Sequence, residues 1–198
     1  MSNDHHEENF IQKYVFSVDH KVIGLQYGVT SLLFLLFGFL LMAIMRYQLA
    51  YPEQVIPYIG NWIFSESGGV MLPENYNTLG AMHGTIMIFL GVVPLAVGAF
   101  GNYLVPLQIG APDMAFPKLN AASYWSYFVG GVIMVASFFT PEGAARSGWT
   151  SYPPLSIFES GQTMWLLGMI FLITSSLLGS MNIIVTIVQL RAPGLSWF

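Results

Sequence analysis

Four stretches of this chain stay apolar for long enough to cross a bilayer, and that excludes most folds before any single residue is considered. A helix needs about 20 apolar residues to span hydrocarbon. The runs cover roughly 23–45, 79–105, 123–139 and 164–190, the third being the shortest. Lipid offers backbone groups no hydrogen bonds, so open strands are ruled out and each run predicts a helix. Charged residues make up only 8% of the chain, against about 25% in soluble domains. The fold class expected is all-α transmembrane. Turn and breaker residues mark the connections: Pro52, Pro57, Pro73, Pro106, Pro112, Pro117, Pro141, Pro153 and Pro154. The segment Asp4-His-His-Glu-Glu8 is polar and the first apolar run is too long for a signal h-region, so no cleavable leader is expected. The division expected is a cytoplasmic segment over 1–21 and a membrane region over 22–198.

Six basic residues set the expected orientation. Lys13, Lys21, Lys118 and Arg191 fall on one side of the spans, and Arg46 and Arg146 on the other. The positive-inside rule then places both termini inside. A net charge of −4 gives no basic field, so no nucleic-acid partner is expected. The chain has no cysteine, which removes disulfides, iron–sulfur clusters and thiolate–copper centres.

His83 is the one His, Lys, Arg, Asp or Glu side chain inside any of the apolar runs. A titratable group at membrane depth costs roughly 2.5–3.5 kcal/mol on insertion scales, so it marks a functional position. Imidazole is also the commonest protein ligand of haem iron. His83 sits about four residues into the second run, and Arg46 ends the first, both toward the outer side. A planar cofactor with acidic or carbonyl substituents would take His83 on its metal and Arg46 at its edge. Gly80, Gly84 and Gly91 leave room for a flat ring, and Met87 falls one turn beyond His83. The same residues also read as a hydrogen-bonded core histidine, small residues for helix packing, a filler methionine and an interfacial anchor. On the residues alone both readings stay open.

A second polar group lies toward the inner side. Asn102 is near the end of the second run, Asp113 in the short inner loop and Asn120 at the start of the third run. Asn182 lies in the inner third of the fourth run, with Ser175 and Ser176 nearer its middle. Buried amides and hydroxyls need partners, and water in a polar cavity supplies them. The group reads as a hydrated proton path with Asp113 at its mouth. On the residues alone it reads first as interhelical hydrogen bonding, worth about 0.6 kcal/mol per pair, beside a solvated loop aspartate.

The segment Gly101-Asn-Tyr-Leu-Val-Pro-Leu-Gln-Ile-Gly-Ala-Pro-Asp-Met-Ala-Phe-Pro117 resembles a hallmark stretch of subunit I of the haem–copper oxygen reductases, in particular the A-type cytochrome c oxidases. Other segments agree in order: His20-Lys-Val-Ile-Gly24, Ala81-Met-His83-Gly84, Gly148-Trp-Thr-Ser-Tyr-Pro-Pro-Leu155, Ser175-Ser-Leu-Leu-Gly-Ser-Met-Asn182 and Arg191-Ala-Pro-Gly194. The resemblance implies that His83 is an axial ligand of a low-spin haem A and that Arg46 bonds that haem's formyl group. It implies that Asp113 opens the D proton pathway, with Asn102, Asn120, Asn182, Ser175 and Ser176 as its lining. Trp149 matches a tryptophan near the propionates of the oxygen-reducing haem. Where the family commonly has a second asparagine, this chain has Ala121.

The resemblance also implies what lies elsewhere. The second ligand of the low-spin haem, the ligand of the second haem and the histidines on copper fall beyond Phe198 in the family. The chain is therefore expected to be a fragment or one piece of a split subunit, the four-helix N-terminal portion of a larger helical bundle. The activity implied is electron transfer from cytochrome c to oxygen with proton pumping. The partners implied are the remainder of subunit I, oxidase subunits II and III, cytochrome c and membrane lipid. A quinol oxidase is the alternative within the family. Its members carry His and Gln where Asn75 and Thr78 stand here. A nitric oxide reductase is disfavoured, since those enzymes lack the Gly-Ala-Pro-Asp-Met-Ala-Phe-Pro string. A haem-free proton channel or transporter is the alternative of another class. The polar N-terminal extension favours a bacterial plasma membrane over a mitochondrial one.

Overall fold

The computed structural model describes residues 9–141, 143–157 and 161–196; His5, His6 and Phe198 lie outside them. Its helices are α1 (Phe10–Tyr14), α2 (His20–Ala50), α3 (Gly60–Ile63), α4 (Pro73–Thr85), α5 (Asn102–Ile109), α6 (Pro117–Ala136) and α7 (Gln162–Gln189). Between α4 and α5 the backbone continues as two π-helical stretches, Ile86–Val92 and Pro94–Gly101. Four helices are long and apolar enough to cross a membrane: His20–Ala50, Pro73–Ile109, Pro117–Phe139 and Gln162–Gln189.

Each span is longer than its apolar run, because local chemistry rather than hydropathy sets its ends. Asp19 caps α2: its Oδ1 accepts from the backbone N–H groups of Lys21 at 2.8 Å and Val22 at 3.1 Å. The helix therefore starts at His20, two residues before the expected boundary at 22. Pro73 and Pro117 stand at the first positions of α4 and α6, where the missing N–H is no loss. They do mark helix starts. Pro106, by contrast, lies inside α5 rather than in a connection. That span ends only at Gly110, whose φ of 70° closes the helix in the left-handed conformation.

The bundle has two unlike ends. At one, the long connections over 51–72 and 140–161 fold against the helix ends. Gln48, nearly buried, ties them down, with Oε1 accepting from Met71 N–H at 3.0 Å and Nε2 donating to the Tyr51 carbonyl at 3.1 Å. Arg146 meets Glu74 at 3.3 Å at this end. At the other end a single short turn joins α5 to α6, and α7 holds it. Asn182 accepts from Phe116 N–H at 2.9 Å and donates to the Phe116 carbonyl at 3.2 Å, while Thr186 Oγ1 accepts from Ala115 N–H at 2.9 Å. Ala192 N–H donates to the Ile109 carbonyl at 2.9 Å, closing the same end.

The apolar core runs up the middle, from Ile23 and Tyr27 through Leu90, Tyr127 and Leu172 to Met82 and Trp165. Helices α6 and α7 pack closest. A Cβ on Gly130 would lie 2.9 Å from the Gly168 carbonyl oxygen and 2.9 Å from Phe171 Cβ. Such approach of backbones is how helices associate where no hydrophobic effect drives them together. Leu25, Leu32, Leu36, Ile170, Ile173 and Leu177 point outward, as surfaces in hydrocarbon or against further helices do.

Gly130→Ala places a methyl against backbone that has no rotamer to yield, and overpacking of this kind costs about 1–3 kcal/mol. The expected outcome is a lowered thermal midpoint of the detergent-solubilised protein; an unchanged midpoint would show that α6 and α7 are not in contact there. Asn182→Leu strips a donor from the Phe116 carbonyl and an acceptor from its N–H. Amide exchange at 111 and 113–116 is expected to accelerate while exchange within the core of α6 is unchanged, and equal acceleration of both would refute a local tie.

Candidate functional site

His83 stands ten residues into the helix that begins at Pro73, not four into a span. At 1.5 Å per residue its Cα is about 15 Å below the helix start, deeper than the run of apolar residues suggested. Polar residues Glu74, Asn75 and Asn77 form the first turns and carry the helix out toward the interface. Hydropathy cannot see those turns.

The imidazole is oriented by one contact. His83 Nδ1 lies 2.8 Å from the carbonyl oxygen of Gly38 on α2. A carbonyl only accepts, so Nδ1 carries the proton and the Nε2 lone pair is free. Backbone carbonyls hold metal-ligating histidines in this way, fixing the tautomer and raising the basicity of the other nitrogen. The side chain is half-buried, and a Cβ added to the adjoining Gly84 would meet nothing within 4 Å. A flat ligand therefore has both a donor nitrogen and space beside it. The other glycines do something else. A Cβ on Gly91 would collide with Leu35 Cδ2, and one on Gly80 would lie 3.2 Å from Met45 Cε, so both serve helix packing. Met87 fills the gap over Gly38.

Arg46 is eight residues beyond Gly38 on α2, about 12 Å nearer the end of the bundle. It is exposed and makes no hydrogen bond or ion pair among the described residues. Trp149 is 54% exposed and stands beside Phe89, with ring centroids 6.2 Å apart. Both therefore lie on the surface of this four-helix unit rather than in its core.

The second group of expected residues divides. Asn102, Ser175 and Ser176 line one cleft with Tyr27 between α2, the π-helical stretch and α7. The space open to water there is about 50 Å³. A water needs roughly 10–15 Å³ by the same measure, so a few fit. Ser176 is exposed and forms the rim, whereas Ser175 is buried. Asn182 does not line this cleft; it holds the Phe116 turn instead. Asp113 is half-buried in that turn, with Oδ1 accepting from Met114 N–H at 2.6 Å.

Two amides are incompletely satisfied. Asn120 is fully buried and neither its Nδ2 nor its Oδ1 has a partner; Asn102 Oδ1 is likewise alone, although its Nδ2 donates to the Gly98 carbonyl at 2.6 Å. An unpaired buried polar group costs about 1–3 kcal/mol, and ordered water is the usual remedy. Between these amides and the cleft runs a chain of hydroxyls. Ser123 Oγ donates to the Asn120 carbonyl at 2.7 Å. Tyr27 OH donates to Ser123 at 3.1 Å and lies 3.1 Å from Ser175 Oγ. A phenol has one proton, so Ser175 donates to Tyr27.

Four contributors escaped the sequence reading: His20, Tyr27, Ser123 and Thr186. His20 was placed on the polar N-terminal segment, yet it is 2% exposed, the first residue of α2, with Nδ1 2.9 Å from the Asn102 carbonyl. A signal for it existed. His20, Tyr27 and Ser31 are seven and four residues apart, which puts all three on one face of α2.

Comparison with known proteins gives this geometry a family. Residues 22–198 match the family model described as "Cytochrome C and Quinol oxidase polypeptide I". The chain is 48% identical over 186 residues to cytochrome c oxidase subunit 1 of Thermostichus vulcanus, covering 93% of this chain and 31% of that protein. It is 44% identical over 193 residues to cytochrome c oxidase subunit 1 of a Synechocystis species, covering 96% and 32%. Against a heme-copper oxidase subunit I+III of Aeropyrum pernix it is 42% identical over 193 residues, covering 96% and 22%. The chain thus spans about a third of the length of the first two relatives. With four membrane-length helices and this match over nearly all of its length, the chain belongs to the family of cytochrome c and quinol oxidase polypeptide I.

Proposed function

We propose that this chain is the low-spin haem-holding and proton-admitting part of a terminal oxidase, acting in electron transfer from cytochrome c to oxygen. The observation that carries the reading is the His83–Gly38 bond, which presents a free Nε2 from inside a membrane span of a family member. The names of the relatives, all cytochrome c oxidases or a heme-copper oxidase, support cytochrome c rather than quinol as donor. Family resemblance favours haem A as the cofactor. The second haem and the copper would be held by the rest of subunit I.

Bound haem supplies a one-electron relay between its ferrous and ferric states. The residues of this chain set the conditions for it. His83 would hold the iron through Nε2, which the bond from Nδ1 to the Gly38 carbonyl keeps unprotonated and aimed. Arg46, exposed on α2 with no partner of its own, offers a guanidinium to a polar substituent at the ring edge and favours electron density there. Trp149 is also exposed, beside Phe89, and the family resemblance would set it near the propionates of the second haem.

Protons take a separate route. Asp113 collects them at the turn that Asn182 and Thr186 hold in place. Asn102 and Asn120, with unpaired buried atoms, hold water behind it. Ser123, Tyr27 and Ser175 then carry the hydrogen-bonded line toward the middle of the bundle. Ala121 stands where an amide is usual in the family, and one water-binding partner is absent from the line. With the termini inside, Asp113 opens toward the cytoplasm of a bacterial cell and subunits II and III complete the complex.

In the assembled complex, His83→Ala is expected to erase or shift the low-spin haem absorbance; an unaltered pigment spectrum, or no Soret band in the wild type, would leave a haem-free channel as the reading. Asp113→Asn is expected to slow oxygen consumption by tenfold or more, on the scale of losing a positioned proton-transfer group, with haem content intact. Normal turnover in that variant would take Asp113 out of the proton route.

A further inference from the structure

Two prolines lie inside membrane-spanning helix among the described residues, Pro94 and Pro106, and both are buried. Neither has a place in the haem or proton assignments. Proline lacks an N–H, and its ring keeps the carbonyl four residues earlier from closing the usual α-helical bond. For Pro94 that carbonyl belongs to Leu90, and for Pro106 to Asn102. Each accepts a side-chain bond from another helix. Tyr127 OH on α6 donates to the Leu90 carbonyl at 2.7 Å. His20 on α2 lies with Nδ1 2.9 Å from the Asn102 carbonyl, so Nδ1 is its protonated nitrogen. Tyr127 and His20 are both almost fully buried, at 1% and 2% exposure.

Two prolines, the same four-residue offset, and two donors from two different helices make a repeated device. In lipid, carbonyls freed by proline are satisfied by neighbouring helices and by local widening of the helix. Both remedies are present here, for the backbone between the two sockets is π-helical over Ile86–Val92 and Pro94–Gly101. A π turn holds more residues than an α turn, so the length of π-helix sets the rotation between side chains on either side of it. Those side chains are His83, eleven residues before Pro94, and Asn102, eight after it.

We propose that Leu90–Tyr127 and Asn102–His20 are a matched pair of interhelical joints, each made at a carbonyl that a proline bars from its α-helical bond and a side chain satisfies. Together they fix the rotation of the second span, so that His83 meets α2 while Asn102 faces the polar cleft. Tyr127 and His20 are positioning residues, acting through backbone. The joints stand on hydrogen bonds alone; only their consequence at His83 rests on the haem reading.

The test is a double-mutant cycle in the full-length subunit within the assembled complex, read by amide exchange and by the absorbance of the low-spin haem. Tyr127→Phe keeps the ring stacked on Tyr27, at 5.1 Å between centroids, and removes only the hydroxyl. Amides of residues 91–93 and 95 are expected to exchange about three- to tenfold faster, the range for losing one interhelical or ordinary hydrogen bond, and the haem band to shift. In a Pro94→Ala background, which lets the helix close an α-helical bond onto the Leu90 carbonyl, the same change is expected to lose more than half of its effect. His20→Leu is expected to do the same to amides of residues 102–105 and 107, and His20→Asn, which keeps a donor in the δ position, to restore them. Equal cost of Tyr127→Phe in both backgrounds, or unchanged exchange in Tyr127→Phe and His20→Leu, would overturn the proposal. Coupling in exchange alongside a spectrum indifferent to His83→Ala would keep the joints and sink the haem reading; additive exchange alongside loss of the haem band in His83→Ala would do the reverse.

Discussion

A backbone carbonyl without a donor costs several kcal/mol in hydrocarbon, and the second span carries two that proline has stripped of their α-helical partners. Most of what is distinctive in this bundle can be traced to how Leu90 and Asn102 are satisfied. Tyr127 reaches the first from α6 and His20 reaches the second from α2. These bonds draw three helices together at two depths. The helix between them widens, and the widening rotates one polar end of the span relative to the other. A span of plain α-helix would have kept a simpler register and would have needed neither partner.

The same economy of polar groups separates the two kinds of site. His83 spends its Nδ1 proton on Gly38 and leaves Nε2 without a hydrogen-bond partner among the described residues. Near the opposite end, Asn182 and Thr186 use their side chains up on the turn that carries Asp113, whereas Asn120 and Asn102 retain buried atoms with no protein partner. Residues of one chemical type thus have different jobs. Asparagines that look alike in sequence divide into a structural clamp and positions with unpaired buried atoms, and the division follows from which backbone groups each one faces.

Resemblance and physics reached His83 by different routes, and they converge on one residue for one reason. A histidine in a membrane span is costly unless both its nitrogens are used, and one backbone carbonyl accounts for only one of them. For the cleft beside Tyr27 the convergence is looser. Asn102, Ser175 and Ser176 do share it, but Tyr27 and Ser123, which join it to Asn120, entered only with the tertiary contacts.

Sequence alone determined the all-helical class, the four spans, the placing of Arg46 and Asp113 at opposite ends, and the family. Those follow from quantities that are local or strictly ordered along the chain: apolar length, the spacing of charges, and an uninterrupted motif from Gly101 to Pro117. Helix ends were legible only in part, because Asp19 and Pro73 start helices through capping chemistry that an apolar count passes over. The partners of His20, Tyr27, His83 and Tyr127 were decided by the tertiary structure. Each bond joins residues at least 37 positions apart, and which carbonyl or hydroxyl a side chain meets depends on the rotation of one helix against another. No local periodicity encodes that rotation in a span whose helix type changes partway along.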